Sequence, residues 1–422
     1  MGIPAQPPTR SQDERRRIPA ATLTGPEVIR AAEALVPLLR KHAAEADERR
    51  AIPLHVYRAL ADAGLFHILK PRRYGGFELS EHEHAMVTLT LARGCASTAW
   101  VFAILSSDNI AVLSYPEETQ EEIWGQDTYT TLAGNTTLNL DSRVVEVNGG
   151  YRLSGRWGYC SGSDFSEWLI FNAPVGESRE GHMFLVPKED AETIDDWTPT
   201  GLRGTGSRSM QVTDVFVPEH RVMRTQDTAS RLQERRQLHP TFDAMYSPWP
   251  SHGRFTFSGV GVGAALGASD YFAESISGLT RVATAHGGTV RLAEQDYVAA
   301  EYADAAGELE MAALLIERRS FEAAELARAH IDPDERVIAR QHRDNALVAR
   351  IAVRSVQRIH ALVGAKAGFP EHPVSRAKRD AELVAAHVTL NWRQAAVRYM
   401  ASVGSGEADT HAGGRSGDRT HR

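Results

Sequence analysis

Between about Leu132 and Met223 the Ala-rich helical rhythm that fills the rest of the chain gives way to short, alternating, Gly-punctuated strands. Arg143–Val147 and Gly150–Ser154, joined by an Asn-Gly-Gly turn, read as a hairpin. His182–Val186 and Met210–Val217 alternate or run apolar over strand lengths. A helical body interrupted by one compact β insert is an uncommon layout, and it restricts the fold before any single residue is weighed.

On either side the spacing is helical. Val28, Ile29, Ala32, Leu35, Val36 and Leu39 recur at steps of three and four, His55 to Leu65 repeats the pattern up to Gly64, and a further helix is expected over about 80–93. After the insert, helices are expected over about 255–278, 292–329 and up to Val363, the last opening on Asp332 and Pro333, with a final one from about Asp380 to Met400. The expected domains are an N-terminal helical domain (23–132), a central β domain (133–230) and a C-terminal helical bundle (231–402). Residues 1–22 and 403–422, rich in Pro, Gly and charge, are expected to be disordered.

A formal charge of −7 gives no electrostatic footprint for nucleic acid. No apolar run approaches a membrane span, and position 6 is Gln6, so an N-terminal lipidation pattern fails at Gly2. Two cysteines, Cys95 and Cys160, are too few for a disulfide framework, and metal-ligand spacing is absent. A cytoplasmic protein is expected.

Several strings, in order, carry a resemblance: Tyr74-Gly75-Gly76, Leu202-Arg203-Gly204-Thr205, Asp214-Val215-Phe216-Val217-Pro218 and Arg379-Asp380-Ala381. Over about residues 25–402 the chain resembles the acyl-CoA dehydrogenase superfamily. That implies an α+β, mostly α fold with an N-terminal helical domain, a central β-barrel or sandwich and a C-terminal four-helix bundle, assembled as a homotetramer. Many dehydrogenases of the superfamily carry a catalytic glutamate eight residues after the Asp of the Arg-Asp pair. Here that position is Val388, and Arg281 and Gly287-Gly288 only approximate a second cofactor-gripping string.

The chain is more similar to the flavin-dependent monooxygenases of this fold, through Gly94-Cys95-Ala96-Ser97-Thr98-Ala99-Trp100, Trp157-Gly158-Tyr159-Cys160-Ser161-Gly162 and a histidine in the last helix. The resemblance implies the oxygenase component of a two-component system. Such an enzyme takes diffusible reduced FMN or FAD from a separate reductase and uses O2 to form a C4a-hydroperoxyflavin that hydroxylates an aromatic or polycyclic phenol. An acyl-CoA dehydrogenase or other flavin oxidase, an N- or S-oxygenase, and a noncatalytic protein on the same scaffold are the alternatives.

Within that resemblance His387 is the expected base, because imidazole takes up and releases protons near neutral pH. Asn391, four residues on and so on the same helical face, is expected to fix its tautomer. A hydroxyl holding the flavin N5 proton is expected from Tyr159, Ser161 or Ser163, with Ser161 favoured and Cys160 a packing neighbour. Trp100 is expected to wall the flavin pocket. Arg203, Thr205 and Ser207 lie in a Gly-rich loop suited to a flavin phosphate. Tyr246 and Trp249, in the irregular stretch 231–252, are expected at the substrate entrance, and Gln295 at a flavin site across a subunit boundary.

Overall fold

The computed structural model describes residues 22–247, 254–283 and 288–404. The first helix, α1 (Gly25–Arg49), starts where Thr24 and Glu27 bond reciprocally and stops at Arg50, which is left-handed. Then come α2 (Leu54–Asp62), closed through Gly64, and α3 (Glu81–Ala92), which opens on a capping box between Ser80 and Glu83. The next, α4 (Ala96–Val112), is apolar on nearly every side and almost wholly buried, as a helix at the centre of a core must be. A short α5 (Glu117–Trp124) leads into the strands.

Eight strands form two four-stranded sheets. One has β1 (Leu132–Leu138), β4 (Trp168–Val175), β5 (Glu180–Pro187) and β8 (Val222–Arg224) side by side; the other has β2 (Arg143–Val147), β3 (Gly150–Trp157), β7 (Ser209–Pro218) and β6 (Glu192–Ile194). The expected hairpin is β2–β3, with Val147 opposite Gly150. At the end of β3 the Trp157 ring stacks on Phe171 of the other sheet, centroids 4.4 Å apart, and its Nε1 donates to the Asn172 carbonyl at 3.0 Å. One side chain thus pins the two sheets together beside the loop that follows β3.

After α6 (Thr228–Arg235) come α7 (Arg254–Ser275), the small hairpin β9 (Thr280–Ala283) and β10 (Gly288–Arg291), then α8 (Asp296–Arg328), α9 (Glu335–Val363), α10 (Pro373–Ala385) and α11 (Trp392–Gly404). Helix α7 lies directly on α3, because Gly263 and Gly267 face it without side chains. A Cβ on either would sit 2.3 Å from a carbonyl oxygen, of Leu89 and Arg93 respectively. Helix α9 opens on Asp334, whose Oδ1 accepts from the Val337 N–H at 2.8 Å; the expected cap, Asp332, lies outside the helix.

The expected single helix from Asp380 to Met400 is two helices. Helix α10 ends at Ala385, His387 is extended at the start of a single 3-10 turn (Val388–Leu390), and Asn391 restarts the chain as α11 by accepting from the Gln394 N–H at 3.0 Å. Two β-branched residues in a row, Val388 and Thr389, with a capping Asn just after them, favour such a corner over a continuous helix. His387 therefore stands at the tip of a corner.

Candidate active site

Four segments converge at that corner: α4, the loop after β3, the start of α7, and residues 386–390. The Trp100 indole on α4 meets the Phe257 ring of α7 at 4.8 Å and the His387 imidazole edge-on at 5.5 Å, while Phe257 and His387 lie 4.6 Å apart. Three rings from three segments form one wall. Phe257 and His387 are half-buried, so the wall has an open side.

A hydroxyl chain runs from the same indole into the protein. Trp100 Nε1 donates to Ser161 Oγ at 3.0 Å, Ser161 Oγ lies 2.7 Å from Ser207 Oγ, and Ser207 Oγ lies 2.7 Å from Thr205 Oγ1. Thr205 Oγ1 donates to the Leu202 carbonyl at 2.8 Å. Leu202 is itself left-handed, and its N–H donates to Asp380 Oδ1 at 2.6 Å. Burial pushes the Asp380 carboxyl up to about 6. The Arg379-Asp380 string thus ties α10 to the loop that carries the hydroxyls, with Arg379 Nε donating to the Thr200 carbonyl at 2.9 Å.

Of the three hydroxyls expected near flavin N5, only Ser161 joins the Trp100 cluster. Ser163 is buried with no hydrogen-bond partner for its Oγ among the described residues, and Tyr159 is left-handed and 74% exposed, its ring edge-on to Trp197. Cys160 turns inward and donates to the Trp157 carbonyl at 3.3 Å, and burial pushes its thiol up to about 12. It is a packing residue here.

His387 is held differently from the expectation. Its Nδ1 lies 2.8 Å from Thr389 Oγ1, two residues on, whereas Asn391 is turned to the α11 N-terminus and does not reach the imidazole. Breaking the helix removed the i, i+4 relation on which the Asn391 expectation rested. Burial lowers the imidazole pKa below its usual value, which favours the neutral, proton-accepting form.

Arg203 is committed to the protein, donating to the carbonyls of Asp47 at 3.1 Å and Pro199 at 3.1 Å, and Thr205 and Ser207 face Ser161. Two of the guanidinium's donors and both hydroxyls are thus engaged within the protein. The ring partners of Tyr246 are His330, stacked at 3.5 Å, and the Arg236 guanidinium, not the Trp100 cluster. Trp249 and Gly287 lie outside the described residues, and Gln295 sits half-buried just before α8.

Sequence reasoning missed Phe257 and Thr389. No local pattern marks either: Phe257 sits in an apolar helix start beside Phe255, and Thr389 is one of two β-branched residues after His387.

Residues 30–129 match the family described as acyl-CoA dehydrogenase, N-terminal domain, and residues 255–392 the family described as acyl-CoA dehydrogenase, C-terminal domain. The chain is 30% identical to the FADH(2)-dependent resorcinol hydroxylase, oxygenase component, of a Rhizobium species, across 89% of this chain and 93% of that protein. It is 32% identical to the flavin-dependent monooxygenase, oxygenase subunit HsaA, of Mycobacterium tuberculosis, across 88% of this chain and 94% of the other. Its fold superposes on the crystal structure of 3-HSA hydroxylase from Rhodococcus sp. RHA1 with a TM-score of 0.82 at 28% identity, covering 90% of this chain and 97% of that one.

Proposed function

This chain belongs to the acyl-CoA dehydrogenase superfamily, among its flavin-dependent monooxygenase oxygenase components, and we propose that it hydroxylates an aromatic or polycyclic phenol with reduced flavin from a separate reductase and O2. The observation that carries this reading is the meeting of Trp100, Ser161 and His387 at one half-open corner. The residues suit a flavin ring. An indole and a phenyl ring offer an aromatic face, Ser161 Oγ can engage a ring N–H, and Val388, 69% exposed, stands where many thioester dehydrogenases of the superfamily carry their carboxylate. The committed Arg203 favours a flavin that comes and goes over one gripped by its phosphate.

When bound, reduced flavin supplies the two electrons that activate O2. The chain's own residues then manage protons and water. In the tautomer that carries its proton on Nδ1, donated to Thr389 Oγ1 at the expense of the longer 3.4 Å contact from the Thr389 N–H, Nε2 of His387 accepts the phenol proton, which makes the ring a better nucleophile. Ser161 would engage the flavin at N5, and the surrounding aromatic wall excludes water. The test is an anaerobic mixture of protein and reduced FMN or FAD, oxygenated with and without simple phenols. Coupled hydroxylation is expected, and oxygen consumed only as hydrogen peroxide for every phenol tried would defeat the reading.

We also propose a cytoplasmic homotetramer. Among the described residues no helix is long and apolar enough to cross a membrane, and both cysteines are buried and unpaired. Helix α8 presents Tyr297, Met311 and Leu314 to the outside, the last two 61% and 63% exposed, a stripe suited to a second copy. The double substitution Met311→Glu and Leu314→Glu is expected to shift the protein to a smaller species in light scattering.

A further inference from the structure

The hydroxyl chain beneath Trp100 can be oriented by counting protons. Three hydroxyls, on Thr205, Ser207 and Ser161, each own one proton, and three contacts must each hold one: Thr205 to the Leu202 carbonyl, Ser207 to Thr205, and Ser161 to Ser207. A carbonyl only accepts, so the first contact takes the Thr205 proton. Thr205 Oγ1 must then accept from Ser207, and Ser207 Oγ from Ser161. Any other assignment leaves two buried oxygens 2.7–2.8 Å apart with no proton between them.

At the outer end the Trp100 indole N–H, which only donates, takes one lone pair of Ser161 Oγ. The carbonyl end fixes the direction, and the indole end is compatible with it. Ser161 has given its proton inward and can offer a ligand only its second lone pair. Leu202, Thr205 and Ser207 are all buried, so water does not compete for these protons, and Asp380 fixes the Leu202 peptide that terminates the chain.

Resting on the flavin reading above, we propose that this chain selects the redox state of the flavin, with Ser207 and Thr205 as positioning residues that hold Ser161 as an acceptor. Reduced flavin carries a proton on N5 and donates to Ser161. Oxidised flavin presents a lone pair at N5 and meets another lone pair. Product flavin is thereby disfavoured once its N5 proton is gone, and the next reduced molecule is preferred.

The experiment compares dissociation constants for reduced FMN or FAD, measured anaerobically, with those for the oxidised form. Wild-type protein is expected to favour the reduced form. In Ser207→Ala the Ser161 hydroxyl is released to turn and donate outward, so oxidised flavin gains affinity and the preference falls by roughly tenfold, the worth of one hydrogen bond. Thr205→Val, close in shape but without the proton, is expected to act in the same direction and stands in should Ser207→Ala fail to fold. Thr205→Ser, which restores the hydroxyl, is expected to recover the preference. A wild-type protein that binds both states equally, or an unchanged preference in folded Ser207→Ala or Thr205→Val, overturns the proposal while leaving the flavin reading intact. Failure to bind either state overturns both.

Discussion

Replacing His387 with alanine is expected to slow phenol hydroxylation by about 10²–10⁴-fold while reduced flavin still binds, because a positioned proton acceptor is worth that much and the flavin contacts proposed for Trp100 and Ser161 remain. The pH dependence separates a base from a packing residue. Burial lowers the imidazole pKa below its ordinary value, so the neutral form persists to lower pH and is lost only as pH falls through that depressed value. The acidic limb of kcat/KM, measured with a substrate that is itself not titrating there, should lie below about 6.5 in the wild type and vanish in the variant. Stopped-flow mixing with oxygen, followed by product analysis, checks the rate. Wild-type coupled turnover in the variant would remove His387 from the chemistry.

The position of this imidazole shows where sequence reading succeeded and where tertiary structure was needed. That a histidine follows the Arg379-Asp380 string is plain in the sequence, and the string proved to anchor α10 to the Leu202 loop. The break before it was hidden, since Val388 falls four residues after the buried Val384 and keeps the helical period, yet its side chain is 69% exposed. The β2–β3 hairpin was legible because an Asn-Gly-Gly turn sets its register locally. The choice among Tyr159, Ser161 and Ser163 was not. Left-handed backbone at Tyr159 and Gly162 destroys the alternation by which a strand would have sorted them. Likewise, a Gly-rich loop with Arg203, Thr205 and Ser207 reads as an anion cradle, and nothing local in it foretells that the Asp47 and Pro199 carbonyls take two of the guanidinium's donors.

Arg208→Met is expected to destabilise the fold by about 3–5 kcal/mol, the cost of leaving a buried charge without its partner. The Arg208 side chain is fully buried. Its Nη1 donates to Asp164 at 2.6 Å, its Nε to Asp195 at 3.0 Å and its Nη2 to the Arg50 carbonyl at 3.3 Å, while its own carbonyl accepts from the Cys160 N–H at 3.2 Å. The two carboxylates are not equally exposed to the loss. Asp195 keeps Arg50, whose hydrogen bond is the largest cause of its lowered pKa, whereas burial already raises Asp164 and Arg208 is the main group opposing that rise. In the variant Asp164 should titrate higher still. A carboxyl whose folded pKa exceeds its unfolded value withdraws stability as pH rises and restores it as pH falls, so the deficit should be largest at pH 8 and shrink toward pH 5. Denaturant unfolding at both values reads this directly. Asp164→Asn, which removes the charge but keeps the shape, should lose less at pH 8 and show a flatter pH dependence than Arg208→Met.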